Sequence, residues 1–225
     1  MRPWRESDDA LEAAPDWQPA SRPAARLLTL FFAGVLAMQL LGDEAWVPLL
    51  DSANLALHEA GHPLVGLFSA RLMVYGGTWF QLAFPAAFAW HFRRSGHSAG
   101  WVFALGWLGE SLMNVGRYMR DARAQQLPLV GGGDHDWTEI LGRWGLLRWD
   151  LALGGATRLL GAALIVWALI QLWQHRRAGR PRLSHRPQAA AGTSTLSPSS
   201  PPCRSPTPAS SRWSHPAPRS RSSRR

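Results

Sequence analysis

The sequence contains a single cysteine and no lysine. The cysteine, Cys203, lies near the C-terminus, so a disulfide within the chain is excluded and no cysteine is available as a metal ligand in the apolar part of the chain. Arginine supplies all 24 basic residues, and we interpret the lack of lysine as a bias of base composition. Acidic residues are absent from residues 176–225, which contain 11 of the arginines, whereas residues 1–175 contain 13 arginines and 15 acidic residues. The net charge of +9 therefore originates in the C-terminal segment.

The composition divides the chain into three parts, and its length leaves room for one folded domain. Residues 1–23 are polar and rich in proline, which is typical of a disordered leader. Residues 24–175 are predominantly apolar and form the predicted membrane domain. Residues 176–225 are rich in Arg, Ser and Pro and contain too few apolar residues to fold, so we expect a disordered tail. Its arginines would suit anionic lipid or nucleic acid, but a solvated tail is the simpler explanation and no nucleic-acid partner is expected.

Long uncharged apolar runs predict an all-α integral membrane protein with four or five transmembrane helices. The predicted spans are residues 27–41, 52–70, 100–115 and 150–173, and a cleaved signal sequence is the alternative for the first of them. Residues 76–90 combine aromatic residues and glycines with Pro85. They are interpreted as a re-entrant or strand-like segment, as a further span, or as a membrane helix kinked at Pro85.

The distribution of arginine predicts the orientation of the chain in the membrane. The connection at residues 43–51 is acidic and lacks arginine, so it is expected outside, whereas Arg93, Arg94 and the tail are expected in the cytosol. Four crossings with a re-entrant segment satisfy these assignments better than five crossings. We therefore expect an integral protein of a bacterial plasma (inner) membrane with a cytosolic tail and with the lipid bilayer as a partner. The oligomeric state is left open.

The stretch His58-Glu59-Ala60-Gly61-His62 carries the clearest chemical pattern. Residues four apart lie on one face of a helix, so both imidazoles can turn a ring nitrogen toward one metal ion. A Zn²⁺ bound in this way keeps a position for water and lowers the pKa of that water, and Glu59 is then the predicted general base. The alternative is a pair of packed helix histidines.

The helix that carries this motif is predicted at residues 52–70. Asp51 or Ser52 is the expected cap at its start. Pro63 follows the second histidine directly, and it is expected to kink or end the helix there because proline removes a backbone donor.

The third metal ligand is expected in the glycine-rich loop at residues 128–137. His135 or Asp136 would bind the ion there, and the other would orient it. The alternative is a glycine loop that only leads into an Asp-capped helix at Trp137. Glu110 and Asn114, four residues apart in an apolar segment, are a second polar pair. For Glu110 a metal ligand, a proton carrier and a hydrogen-bond partner of Asn114 are all considered, and the last is favoured.

A Leu-His-Glu-Ala-Gly-His stretch at residues 57–62, inside an apolar segment of a multi-span chain, resembles the site-2 protease family of intramembrane zinc metallopeptidases. The resemblance implies that His58 and His62 bind zinc and that Glu59 activates water to cut a peptide bond of a membrane protein substrate. The aspartate ligand of that family lies in an Asn-Pro-Asp-Gly-like motif, which this sequence lacks, so the resemblance covers about 20 residues and gives no third ligand. The alternatives are a zinc hydrolase of a lipid or small amide, and a non-catalytic metal-binding scaffold or transport protein.

Overall fold

The computed structural model describes residues 17–42, 46–130 and 134–178. Most of the predicted leader and nearly all of the predicted tail lie outside these residues. The described chain contains six α-helices and no β-strand, so the predicted all-α class is confirmed for this part of the protein. The helices are α1 (Arg22–Leu41), α2 (Pro48–Gly66), α3 (Met73–Arg94), α4 (Ser98–Arg120), α5 (Asp136–Arg143) and α6 (Asp150–Ala178), with a short 3-10 helix at Leu147–Trp149.

Helix α2, which carries the histidine motif, begins and ends at residues other than those predicted. Its N-cap is Val47, so the prediction of Asp51 or Ser52 as the cap is wrong. Asp51 nevertheless closes the start of the helix, because its carboxylate accepts a hydrogen bond from the backbone N–H of Val47 at 2.5 Å. The helix also continues beyond Pro63 to Gly66, so the expectation that it could end at the proline is wrong.

Residues 76–90 are part of one continuous helix, α3, which contains Pro85. The strand-like interpretation of this segment is therefore wrong. The helix has 22 residues and rises about 1.5 Å per residue, so it carries the chain roughly 33 Å in one direction. A helix that contains Pro85 is confirmed, and the re-entrant and membrane-spanning interpretations stay predictions.

Helices α4 and α6 approach each other closely at two pairs of glycines. A Cβ atom on Gly109 would lie 2.7 Å from the carbonyl oxygen of Gly161, and one on Gly116 would lie 2.5 Å from that of Gly154. The pairs are seven residues apart on both helices, which corresponds to two turns on one face. Contacts between small residues of this kind are typical of helix pairs in membranes, where backbones pack directly on each other.

Two helical stretches of the described chain, residues 22–41 and 147–178, are long and apolar enough to cross a membrane. In both of them only 22% of the most apolar window is buried inside the protein. Leu30 on α1 and Leu159 on α6 are each 71% exposed. A core helix of a water-soluble protein would bury this surface, so the two stretches carry apolar faces that the rest of the chain does not cover.

The start of α1, the turn between α3 and α4, and the end of α6 lie at one end of the bundle. The N–H of Gln18 donates to the carbonyl of Gly96 at 2.8 Å, the Trp17 ring packs 4.4 Å from that of His175, and Arg176 donates to the carbonyl of Ala20. The end of α4, the start of α3 and all of α5 lie at the opposite end, and the histidine motif is found there.

Candidate metal centre

Three side chains converge where α2, α3 and α5 meet. His58 Nε2 lies 2.8 Å from Asp136 Oδ2, and His62 Nε2 lies 3.3 Å from the same oxygen. The three candidate ligand atoms lie within 4.8 Å of one another. Two neutral imidazoles and a carboxylate are a donor set that suits zinc, and a fourth position is left for water. The structure therefore brings together two residues of the predicted motif with one residue of the predicted loop.

The non-ligating nitrogen of each imidazole has a partner of its own. His62 Nδ1 lies 3.0 Å from the carbonyl oxygen of Met73, and His58 Nδ1 lies 3.2 Å from Oε1 of Gln81. An Nδ1–H that donates to an oxygen fixes the tautomer and presents the Nε2 lone pair, which is the usual arrangement of metal-binding histidines. Both rings are thus oriented with Nε2 toward Asp136.

Asp136 is the first residue of α5, and its backbone and side chain are both held. Its N–H donates to the hydroxyl of Tyr118 at 3.3 Å, and its carboxylate is 12% exposed. Burial disfavours the charged carboxylate, but the hydrogen bonds with His58 and His62 outweigh burial and lower the pKa of Asp136. A metal ion bound here would displace the protons of these hydrogen bonds, because metal ligands are deprotonated.

His135 is not part of the three-residue cluster. It is the N-cap of α5, where its Nδ1 accepts a hydrogen bond from the N–H of Thr138 at 3.3 Å. Its Nε2 lies 3.4 Å from Asp121 Oδ2, and its ring packs 4.2 Å from the ring of Tyr118. Burial lowers the pKa of His135, with Asp121 acting in the opposite direction. Of the two loop residues, Asp136 reaches the histidines and His135 holds the start of the helix that presents it.

Three glycines provide the space for the site. A Cβ atom on Gly61, inside the motif, would overlap the carbonyl of Gly76, so these residues allow the backbones of α2 and α3 to touch. A Cβ atom on Gly77 would lie 2.5 Å from Nε2 of His58. The close helix contact places α3 against the histidines, and the missing side chain at position 77 leaves room for the ring.

A cavity of about 480 Å³ opens onto the cluster. Glu59, the predicted base, lines this cavity together with the three candidate ligands. The rest of the wall comes from all four of the helices α2 to α5 and from the chain before α2 and before α5, and it includes Arg117, Tyr118, Leu129 and Asp134. The site thus combines candidate metal ligands, a carboxylate and a space large enough for part of a polypeptide chain or another small substrate.

Glu110 and Asn114 do not pair with each other, so that prediction is wrong. Glu110 is fully buried and accepts hydrogen bonds from Asn54 at 2.6 Å and from Gln39 at 3.4 Å. Asn114 instead donates to Asp51 Oδ1 at 2.6 Å. Glu110 keeps the structural role that the sequence favoured, with different partners, and it is outside the cluster of candidate ligands found among the described residues.

Two residues at the site, Gln81 and Tyr118, were not singled out from the sequence. Gln81 is an uncharged amide in the apolar run of α3, and a buried amide in such a run is a signal for a hydrogen-bonded role. Tyr118 lies three residues beyond a predicted span and gave no comparable signal. No protein-family model, curated protein or solved structure matches this chain.

Proposed function

We propose that the protein is a membrane-embedded zinc metallopeptidase in which His58, His62 and Asp136 hold the ion and Glu59 is the general base. One observation carries this proposal. Ligand atoms from segments 78 residues apart meet within 4.8 Å, and both imidazoles are anchored through Nδ1. A pair of packed histidines would not require a carboxylate between the two Nε2 atoms.

The exposed apolar faces of α1 and α6 support a location in the lipid bilayer. We infer that α1, α3, α4 and α6 cross the bilayer, with α2 embedded beside them. The start of α1 and the end of α6 share one end of the bundle, which agrees with an even number of crossings and with a cytosolic tail. The metal centre then lies toward the outer face of a bacterial plasma membrane.

The residues around the cavity suit hydrolysis of an amide bond. A zinc ion held at the site would supply Lewis-acid activation of a water molecule and of the scissile carbonyl. Glu59 takes the proton of the attacking water and delivers it to the leaving amine. Tyr118, whose hydroxyl oxygen accepts the N–H of Asp136, has its own hydrogen to donate to the carbonyl oxygen of the substrate.

The first test is the metal content of protein purified in detergent without chelators. We expect about one zinc per chain in the wild type and in Glu59→Gln, and none in His58→Ala. His91→Ala is the matched control, because His91 is an exposed histidine of α3 outside the cluster, and it should retain its zinc. A wild-type protein without metal would refute the metal centre.

The second test separates a peptidase from the alternatives. Wild type and Glu59→Gln, both loaded with zinc, are incubated with membrane-inserted peptides and, separately, with phospholipid vesicles, and the products are identified by mass spectrometry. Peptide cleavage by wild type alone supports the proposal. Lipid hydrolysis would indicate a different zinc hydrolase, and zinc-loaded wild type that yields no product from either substrate would indicate a non-catalytic metal-binding protein.

A further inference from the structure

We propose that Asp51, Asn114 and Gln81 form a directional hydrogen-bond relay that holds His58 in its metal-binding tautomer. The inference rests on the proposed metal centre and deepens it. The relay is continuous over three helices. Asn114 Nδ2 donates to Asp51 Oδ1 at 2.6 Å, Gln81 Nε2 donates to Asn114 Oδ1 at 3.2 Å, and Gln81 Oε1 faces His58 Nδ1 at 3.2 Å.

The carboxylate of Asp51 sets the direction of the whole relay. Its oxygens accept hydrogen bonds from Val47 and from Asn114, so the group of Asn114 that faces Asp51 is the NH₂. The carbonyl of Asn114 then faces Gln81 and must meet an NH₂ there. The carbonyl of Gln81 is therefore left for His58, and it can only be satisfied by an Nδ1–H.

The second oxygen of Asp51 is engaged as well. Asp51 Oδ2 accepts the N–H of Val47 at the start of α2, so both carboxylate oxygens are used as acceptors. Asp51 and Gln81 are 2% and 3% exposed, and a reversed amide in this environment would leave buried donors facing each other. Asn114 is partly buried and lines the cavity together with Asp51 and Gln81. Each amide is held by a partner on both sides, so the polarity set at Asp51 reaches His58.

Replacing Asp51 by asparagine tests this reasoning without changing shape. The new side chain can satisfy Val47 with its oxygen only by turning its NH₂ toward Asn114. That turn reverses both amides, so that an NH₂ of Gln81 meets Nδ1 of His58 and the proton of the ring moves to Nε2. A protonated Nε2 cannot bind a metal. Zinc can then bind only if the amides of Gln81 and Asn114 turn back, which leaves the NH₂ of the new amide at position 51 facing the NH₂ of Asn114.

A second substitution restores the relay with the opposite polarity. In Asp51→Asn combined with Gln81→Glu, the amide at 51 donates to the carbonyl of Asn114, and the NH₂ of Asn114 donates to the carboxylate at 81. That carboxylate again accepts the Nδ1–H of His58. The double variant has the same net charge and nearly the same volume as the wild type, and each of its four links pairs a donor with an acceptor.

The experiment measures the zinc dissociation constant of the full-length protein in detergent by competition with a chelating dye. We expect Asp51→Asn to bind zinc at least about tenfold more weakly than wild type, as loss of an orienting partner does. The zinc dissociation constant of the double variant should return to within about threefold of the wild-type value, because the restored relay again holds the proton of His58 on Nδ1. Ser98→Ala is the control, since it removes a hydrogen bond from a buried serine of α4 to the carbonyl of Gln18 at the opposite end of the bundle, and it should leave the constant unchanged.

Two results would overturn the relay: wild-type affinity in Asp51→Asn, or a double variant that binds no better than Asp51→Asn. If Asp51→Asn fails to fold, the comparison passes to the double variant, which must then yield monodisperse protein with wild-type affinity. A wild-type protein that binds no zinc is a different failure, because it removes the metal centre itself.

Discussion

The substitution Gly77→Ala places one methyl group at the candidate metal centre. The added Cβ atom would lie 2.5 Å from His58 Nε2 and 2.7 Å from two neighbouring ring carbons. Ordinary contact at such a position begins at 3.4 Å, so the ring must retreat by about 0.9 Å, whereas bond lengths at a metal site are held to about 0.2 Å. The displaced nitrogen can no longer bind the ion together with His62 and Asp136. We expect zinc affinity to fall at least tenfold, which corresponds to about 1.4 kcal/mol.

The assay is the same dye competition, accompanied by a thermal-unfolding measurement of the metal-free protein. Overpacking typically costs about 1–3 kcal/mol of stability, so a control is needed that is strained without touching the site. Gly100→Ala supplies it, because its Cβ would meet the ring of Phe92 at 2.6 Å at the other end of the bundle. Gly34→Ala, with nothing within 4 Å, is the unstrained control. The reasoning is refuted if Gly77→Ala binds zinc as tightly as Gly100→Ala does.

Two further predictions concern the residues that α4 and α5 bring to the site. Asp136→Ala removes a candidate ligand and should weaken zinc binding by more than about a hundredfold. His135→Ala removes only the helix cap and a positioning contact, so zinc binding should weaken at most about tenfold. Equal losses of zinc affinity in the two variants would make His135 a ligand as well. Tyr118→Phe should retain zinc and the packing of its ring on His135 while lowering the cleavage rate about a hundredfold, and an unchanged rate would exclude its hydroxyl from the reaction.

The local parts of the site were predictable from the sequence because helical geometry alone determines them. Residues four apart share a helix face, so the pairing of His58 with His62 needed no tertiary information. The ends of the helices were harder to predict from the sequence. Pro63 was expected to kink or end α2, but the chain continues in the helix to Gly66, and the N–H of Leu67 donates to the carbonyl of Pro63.

The third candidate ligand could not be chosen from the spacing of residues in the sequence. His135 and Asp136 are neighbours with equal ability to bind a metal, and the choice between them depends on which way α5 begins. The N-cap geometry turns His135 back toward Thr138 and Asp121, and the first helical position then projects Asp136 toward α2. No periodicity in the loop encodes this direction.

The sequence by itself determined the helical class, the apolar segments, the histidine pair with its glutamate, and the excess of arginine in the tail. These properties follow from composition and from the 3.6-residue period of a helix, which are local. Only the tertiary structure decided that Asp136 joins the histidines, that Glu110 pairs with Asn54 and Gln39, and that a relay runs from Asp51 to His58. Each of these three arrangements depends on contacts between helices that are distant in the chain. Glycine contacts set how closely the helices approach, and the direction of each buried hydrogen bond selects one side chain among several of the same chemistry.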